Sequence, residues 1–361
     1  MNPSFERLMA AATRLTRQGN LQAATAAIQA ALGRAKAPAR QAAFAAGDET
    51  DVIDVQAREV AVDPAPATAP PAAAQPRPPA GEFTAGTYTD TSGTLAYKLF
   101  SPLGSSSGTK LPLVVMLHGC TQDPDDFAAG TGMNEAALEH GYFVLYPAQA
   151  HRANSSRCWN WFKHNHQQRG RGEPALLAAM TRQVIDRCPI DPQRVYVAGL
   201  SAGGAMAAIL GEVYPELFAA VGVHSGLPTG AANDMPSAFT AMRGGAAACA
   251  ASTHPGPPTI VFHGDQDGTV HPVNGERVAS AVCNRMAALT ERFDNTNGRA
   301  ATRHTYRDHE GGVVAEHWVV HGAGHAWSGG SLRGTYADSQ GPDATREMLR
   351  FFAAHGRVVS I

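Results

Sequence analysis

Ser201 stands between glycines in Gly199-Leu200-Ser201-Ala202-Gly203, a G-x-S-x-G pattern. A hydroxyl held on so tight a turn can attack an ester or amide carbonyl once a base takes its proton. The residues before it, Val195-Tyr196-Val197, are the β-branched and aromatic types that sheets prefer. Those after it, Ala205 to Leu210, are good helix formers with no breaker among them. A strand, a strained turn and a helix would then present Ser201 Oγ at the sheet edge, beside the positive end of the helix. The competing reading of the same glycines is a β–α loop that cradles a phosphate.

A serine nucleophile needs an imidazole and a carboxylate to orient it. Two aspartates, Asp265 and Asp267, follow the apolar run "TIVFHG". Asp267 is the better partner, because H-G-x-x-D-x-x-V is the arrangement found after this strand in serine hydrolases, and Asp265 is expected to brace the loop. A calcium loop fails for want of further oxygen ligands at alternating positions. Two histidines, His321 and His325, follow the last apolar run, in "HGAGHAWSGG". His321 is still close to strand register and reads as a packed side chain. His325 lies beyond Gly322 and Gly324, in a loop free to deliver its ring. The order Ser201, Asp267, His325 is that of the α/β hydrolases and of neither major serine-protease scaffold.

Acyl transfer also needs donors where the carbonyl oxygen becomes an anion. The backbone N–H groups of Cys120, in "LHGCTQ", and Ala202 are the natural pair, with Gln122 holding the loop. The alternative is that Gly119 is only a turn glycine.

The elements that must carry these groups alternate in type. "GTYTDTSGTLAYKLFSP" reads as an opening hairpin, and "LPLVVMLHG" as a buried strand of parallel type. A helix ending at Gly141 precedes "YFVLYP", and another runs around Pro174–Cys188 before the strand at Arg194. "AAVGVHSG" and "TIVFHG" are further strands, and "RHTYRDHEGGVVAEHWVVHG" is a hairpin turning at Gly311-Gly312. A last helix spans Asp343 to His355 and carries Met348, Leu349, Phe351 and Phe352. The fold class expected is α/β: a three-layer sandwich with a mostly parallel central sheet, functional groups sitting at the carboxyl ends of its strands. Between two strands, Leu227 to Pro258 forms either a short flap or a plain surface excursion.

This catalytic domain is expected to occupy residues 82–361. Residues 1–33 read as a small helical hairpin around Gly19-Asn20, with Phe5, Leu8, Met9, Ala12 and Leu15 at helical spacing. It either docks through its apolar face, on a granule or a second copy, or remains a solvated, frayed helix. Residues 34–81 are rich in Ala and Pro and read as an extended linker without a core. The formal net charge of −2 offers no electrostatic reason for a nucleic-acid partner. No apolar run reaches the length of a membrane span, and the amino terminus lacks a clear secretory signal, which favours a cytoplasmic chain over a secreted one. The five cysteines are an odd number without metal-site spacing. His164 and His166 alternate in a charged loop with no third ligand nearby and are expected to face solvent. No metal and no organic cofactor is therefore expected.

Five separated blocks, "LHGCTQ", "CWNWF", "RVYVAGLSAGGAMA", "VFHGDQDGTV" and "GHAWSGG", resemble in order the polyhydroxybutyrate depolymerase family of esterases, which includes feruloyl and acetylxylan esterases. The resemblance covers roughly residues 82–355. It implies an α/β-hydrolase fold, a triad of Ser201, Asp267 and His325, and Cys120 as an oxyanion donor. By analogy, Cys120 and Cys158 would be joined in a disulfide. Trp159, Trp161, Trp327 and Gln122 would lie at the substrate, an ordinary core role being the alternative for Trp159 or Trp161. The sequence departs from extracellular polymer-degrading members in lacking a visible secretion signal, a threonine-rich or fibronectin-like linker and a carboxy-terminal binding domain.

The expected activity is hydrolysis of hydroxyalkanoate oligomers or related polyesters. The alternatives are a feruloyl or acetylxylan esterase, a peptidase for which no supporting feature is found, and a granule- or partner-binding protein on a passive hydrolase scaffold.

Overall fold

The computed structural model describes residues 81–357 apart from 92, 103–107, 246–255, 284–287 and 295–297. The expected hairpin of residues 1–33 and nearly all of the linker lie outside the described residues. Ten strands form one sheet: β1 (Glu82–Asp90), β2 (Gly93–Ser101), β3 (Leu111–Leu117), β4 (Phe143–Ala148), β5 (Ile190–Leu200), β6 (Ala220–His224), β7 (Thr259–Gly264), β8 (Ala288–Phe293), β9 (Ala301–Arg307) and β10 (Val313–Val320). Their order is β1-β2-β4-β3-β5-β6-β7-β10-β9-β8. From β4 to β10 all neighbours run parallel. The outer pairs at both edges are antiparallel.

Continuous apolar runs become the central strands because both faces are covered. Leu113, Val115 and Leu117 of β3 point into one core, and Val114 and Met116 into the other. β5 divides likewise, Val195 and Val197 against Tyr196 and Ala198. The first core is closed by α3 (Gly172–Arg187), α4 (Ala202–Val213) and α6 (Val273–Cys283), through side chains such as Leu177, Met206 and Val278. The second is closed by α1 (Pro124–Thr131), α2 (Met133–His140) and α7 (Ala344–Ala353), through Phe127, Met133 and Phe351. Asp343 caps α7 by accepting from the Arg346 amide, and Phe352 stacks on Tyr196 with ring centroids 4.8 Å apart. The stretch between Leu227 and Pro258 contains a short helix, α5 (Met235–Met242), started by Asp234 in a capping box. Two short parallel strands, β11 (Trp327–Ser328) and β12 (Ala337–Asp338), pair beyond the sheet.

Four imidazoles are buried in this sandwich: His118 just after β3, His224 at the end of β6, His263 in β7 and His317 in β10. Burial lowers His118 to about 4, and His224 and His317 to about 3. An unfolded imidazole takes its proton near pH 6.5, so between there and about pH 4 the unfolded chain binds more protons than the folded one. Acid should therefore destabilise the fold by up to about 1.4 kcal/mol per histidine for each pH unit below 6.5. The expected result is a Tm that falls steadily from pH 7 to pH 5 in a buffer series; a flat Tm over that range would contradict the buried neutral rings.

Candidate active site

β5 hands over to α4 at Ser201, whose backbone takes φ 58° and ψ −118°. That conformation is rare for a residue with a Cβ and stores strain. Two features hold it. The Ser201 amide donates to the His224 carbonyl at 2.9 Å, and the Ser201 carbonyl accepts from Ala205 N at 2.9 Å. The flanking glycines are required by contact: a Cβ on Gly203 would collide with the Leu117 carbonyl, and one on Gly199 with the Gly203 backbone. Their bareness lets the end of β3 press against the first turn of α4.

That approach sets the loop after β3 beside Ser201. Gln122 Oε1 accepts from Gly119 N at 2.9 Å, while Gln122 Nε2 donates to Asp126 Oδ2 at 3.0 Å and the Thr335 carbonyl at 3.1 Å. Arg157 donates to the Thr121 carbonyl at 2.6 Å, and Thr121 N donates to the Ser156 carbonyl at 2.7 Å. A disulfide between Cys120 and Cys158 ties this loop to the "CWNWF" segment after β4. Among the described residues, neither the Cys120 nor the Ala202 amide has a protein acceptor, although the amides of Gly119, Thr121 and Gln122 are all engaged. Two unclaimed N–H donors next to a hydroxyl are the pattern an oxyanion requires.

Asp267 is 5% exposed and accepts three hydrogen bonds, with a fourth N–H close by. Thr269 N and Val270 N donate to Oδ1, both at 2.9 Å. His325 Nδ1 donates to Oδ2 at 2.7 Å, and His263 Nε2 lies 3.4 Å from the same oxygen. Burial pushes the Asp267 carboxyl up, but the bonds from His263 and His325, the charge of His325 and the Val270 amide outweigh it. The group is held far below the usual carboxylate range. An ionised carboxylate against Nδ1 leaves His325 Nε2 as the basic nitrogen.

The two rejected candidates find each other. His321 Nδ1 donates to Asp265 Oδ2 at 3.0 Å, and Gly322 N to Asp265 Oδ1 at 2.7 Å. His321 also continues the strand pairing through its amide, which donates to the Ala300 carbonyl. Both side chains of this pair are about one-third exposed, whereas Asp267 is sealed from water. Asp265 thus braces the loop that aims Asp267.

An open cleft of about 490 Å³ is lined by Ser201, Ala202, Cys120, Cys158 and Trp161, with Met235 and Phe239 of α5 along one side. Three residues expected at the substrate are placed elsewhere. Trp159 is fully buried and donates from Nε1 to the His118 carbonyl at 3.1 Å. Trp327 is buried under α7, donating to Thr345 Oγ1 at 3.0 Å and stacking on His224. Gln122 spends its amide group on the loop. All three support the backbone of the site instead of walling the cleft, because each carries a polar handle that a core position can satisfy.

His166 also departs from expectation. His164 is exposed, but His166 is largely buried, with Nδ1 3.4 Å from Glu173 Oε2. Glu173 in turn accepts from Asn160 N and from Gln149 Nε2, both at 2.7 Å, anchoring the "CWNWF" loop. Sequence reasoning missed this glutamate, His224 and His263. The signal for Glu173 was its place in the first turn of α3, where an acid suits the helix dipole.

The layers and the strand order, with Ser201, Asp267 and His325 at the carboxyl ends of β5, β7 and β10, define an α/β-hydrolase fold. Acetyl xylan esterase from Aspergillus awamori shares it, with a TM-score of 0.61 at 20% identity, covering 75% of this chain and 99% of that one. The sequence profile described as "Esterase PHB depolymerase" matches residues 95–307, and the chain belongs to that family. It is 32% identical over 241 residues to poly(3-hydroxyalkanoate) depolymerase C of Paucimonas lemoignei, covering 63% of this chain and 58% of the relative. It is 28% identical over 236 residues to feruloyl esterase B of Thermothelomyces thermophilus, covering 60% and 79%. The chain spans about half the length of the depolymerases it matches.

Proposed function

We propose that the chain is a serine esterase acting through Ser201, His325 and Asp267. The observation that carries this reading is the 2.7 Å bond from His325 to the buried Asp267 carboxylate, at the same sheet edge as the strained Ser201 turn. His325 Nε2 takes the Ser201 proton as Oγ attacks the ester carbonyl. The oxyanion rests on the Cys120 and Ala202 amides, the alcohol leaves with the proton from His325, and water then cleaves the acyl-enzyme by the same path in reverse. These steps call on no metal or organic cofactor.

The substrate we propose is a hydroxyalkanoate oligomer or related polyester. Relatives named as depolymerases support it, as does the apolar side of the cleft, where Met235 and Phe239 are about half exposed beside Trp161. The second reading, a feruloyl or acetylxylan esterase, is favoured by the relatives so named and by the aromatic rings at the cleft. Purified protein assayed on hydroxybutyrate trimer, p-nitrophenyl acetate, methyl ferulate and acetylated xylan separates them. The expected result is a kcat/KM for the trimer at least about tenfold above that for methyl ferulate, a difference of about 1.4 kcal/mol in transition-state binding. The reverse order would move the assignment to the plant-wall esterases.

A further inference from the structure

His263, on β7, is 1% exposed and has no part in the proton path described above. Its Nε2 lies 2.9 Å from the Val270 carbonyl. A carbonyl only accepts, so Nε2 carries the hydrogen in this pose, and the same N–H faces Asp267 Oδ2 at 3.4 Å. The other ring nitrogen, Nδ1, is buried without a partner, and so is Nε2 of His317 on the neighbouring β10. Both point at one place over α6, since a Cβ built on Gly275 would lie 2.8 Å from His263 Nδ1 and 3.1 Å from His317 Nε2. A bulkier residue there would push the His263 ring toward Asp267 or turn it.

We propose that His263 is a positioning residue for Asp267, its Nε2–H fixing the carboxylate oxygen that His325 uses, and that Gly275 is the notch that lets it take this pose. The inference rests on the triad proposed above and deepens it. The carboxylate is then held at Oδ1 by two backbone amides and at Oδ2 by two imidazoles, His263 from β7 and His325 from the loop after the neighbouring β10. The groups facing His263 are Asp267 from its own loop, His317 from β10 with His304 of β9 behind it, and His224 from β6. From α6 the facing residue is Gly275, while the adjacent Glu276 is exposed and Arg277 is bonded to Asn274 and the Gly244 carbonyl.

Withdrawing the His263 N–H returns charge to Oδ2, which holds the His325 imidazolium more tightly. His263→Leu is therefore expected to lower kcat on p-nitrophenyl acetate about tenfold with KM within about twofold. The acid limb of kcat/KM should move up by about half a pH unit. His263→Gln, whose amide reaches the same point, should recover activity to within about threefold of the wild type. Gly275→Ala gains helix propensity yet should lower kcat, because it displaces the ring without touching the triad. The low-field proton NMR signal of His325 Nδ1–H, assigned by its loss in His325→Ala, should shift in His263→Leu and in Gly275→Ala. A folded His263→Leu with wild-type kcat, acid limb and proton signal would overturn the proposal. If that variant does not fold, an unmoved signal and unchanged kcat in Gly275→Ala overturn it instead. Should the wild type hydrolyse no ester, the esterase reading fails, and the proton signal still decides the positioning of Asp267.

Discussion

Ser201→Ala is expected to lower kcat on p-nitrophenyl acetate by about 10⁴- to 10⁶-fold with the fold intact. The substitution removes only Oγ. The amide of residue 201 still donates to the His224 carbonyl, and the glycine contacts on either side do not involve the hydroxyl. Alanine carries the same Cβ as serine, so the strain at φ 58° is unchanged and Tm should stay within about two degrees. Some hydrolysis above the water rate should survive, because the Cys120 and Ala202 amides can still hold the oxyanion of a water-attacked ester. A fluorophosphonate probe gives an independent check: it should label the wild type on the peptide containing Ser201 and leave the variant unlabelled. Wild-type activity in Ser201→Ala would move the nucleophile elsewhere and return the hydrolase domain to a passive scaffold.

The parts of this site legible in the sequence are those where chemistry and local geometry share the same residues. Gly199 and Gly203 signal Ser201 because the turn cannot be built with side chains at those positions, and the contact with Leu117 gives the steric reason. Asp267 and His325 stand out because loops at strand ends leave few residue types free to be ionic. Even so, two aspartates and two histidines compete there, and the structure pairs all four, 265 with 321 and 267 with 325. What separates the pairs is burial, a long-range property set by how β7 and β10 lie side by side. Trp159 and Trp327 show the opposite case. An aromatic near a reactive residue reads equally well as a pocket wall or as core, and only the partners of their indole N–H groups decide. His166 was illegible for a related reason: its contact with Glu173 is made across a loop, with no local spacing to announce it. His263 stands four residues before Asp267, but its part depends on a ring orientation that spacing does not give. The helix inside Leu227–Pro258 was hidden by its Gly, Ala and Pro neighbours, although Asp234-Met235-Pro236-Ser237 spells its capping box.

Asp267→Asn should lower kcat by about 10⁴-fold with KM little changed, and the hydrogen-bond inventory says why. Every group around Asp267 donates: the Thr269 and Val270 amides to Oδ1, and His325 Nδ1 and His263 Nε2 toward Oδ2. An asparagine offers one acceptor and one donor in place of two acceptors. If its oxygen stays with the backbone amides, its NH₂ faces two imidazole N–H groups. His325 can escape by moving its hydrogen to Nε2, which removes the lone pair that should take the serine proton. His263 cannot follow without abandoning the Val270 carbonyl at 2.9 Å. If the amide flips, the NH₂ meets the two backbone amides in a site that is 5% exposed, where unmet donors are costly. Either pose disables the base, so fluorophosphonate labelling of Ser201 should slow in parallel with kcat, and Tm should fall by several degrees. Asp265→Asn supplies the contrast. It loosens a brace that is one-third exposed and should keep kcat within about threefold, since a partly solvated pair contributes little. A large loss in the 265 variant alongside a near-normal 267 variant would transfer the carboxylate role to Asp265 and the base to His321.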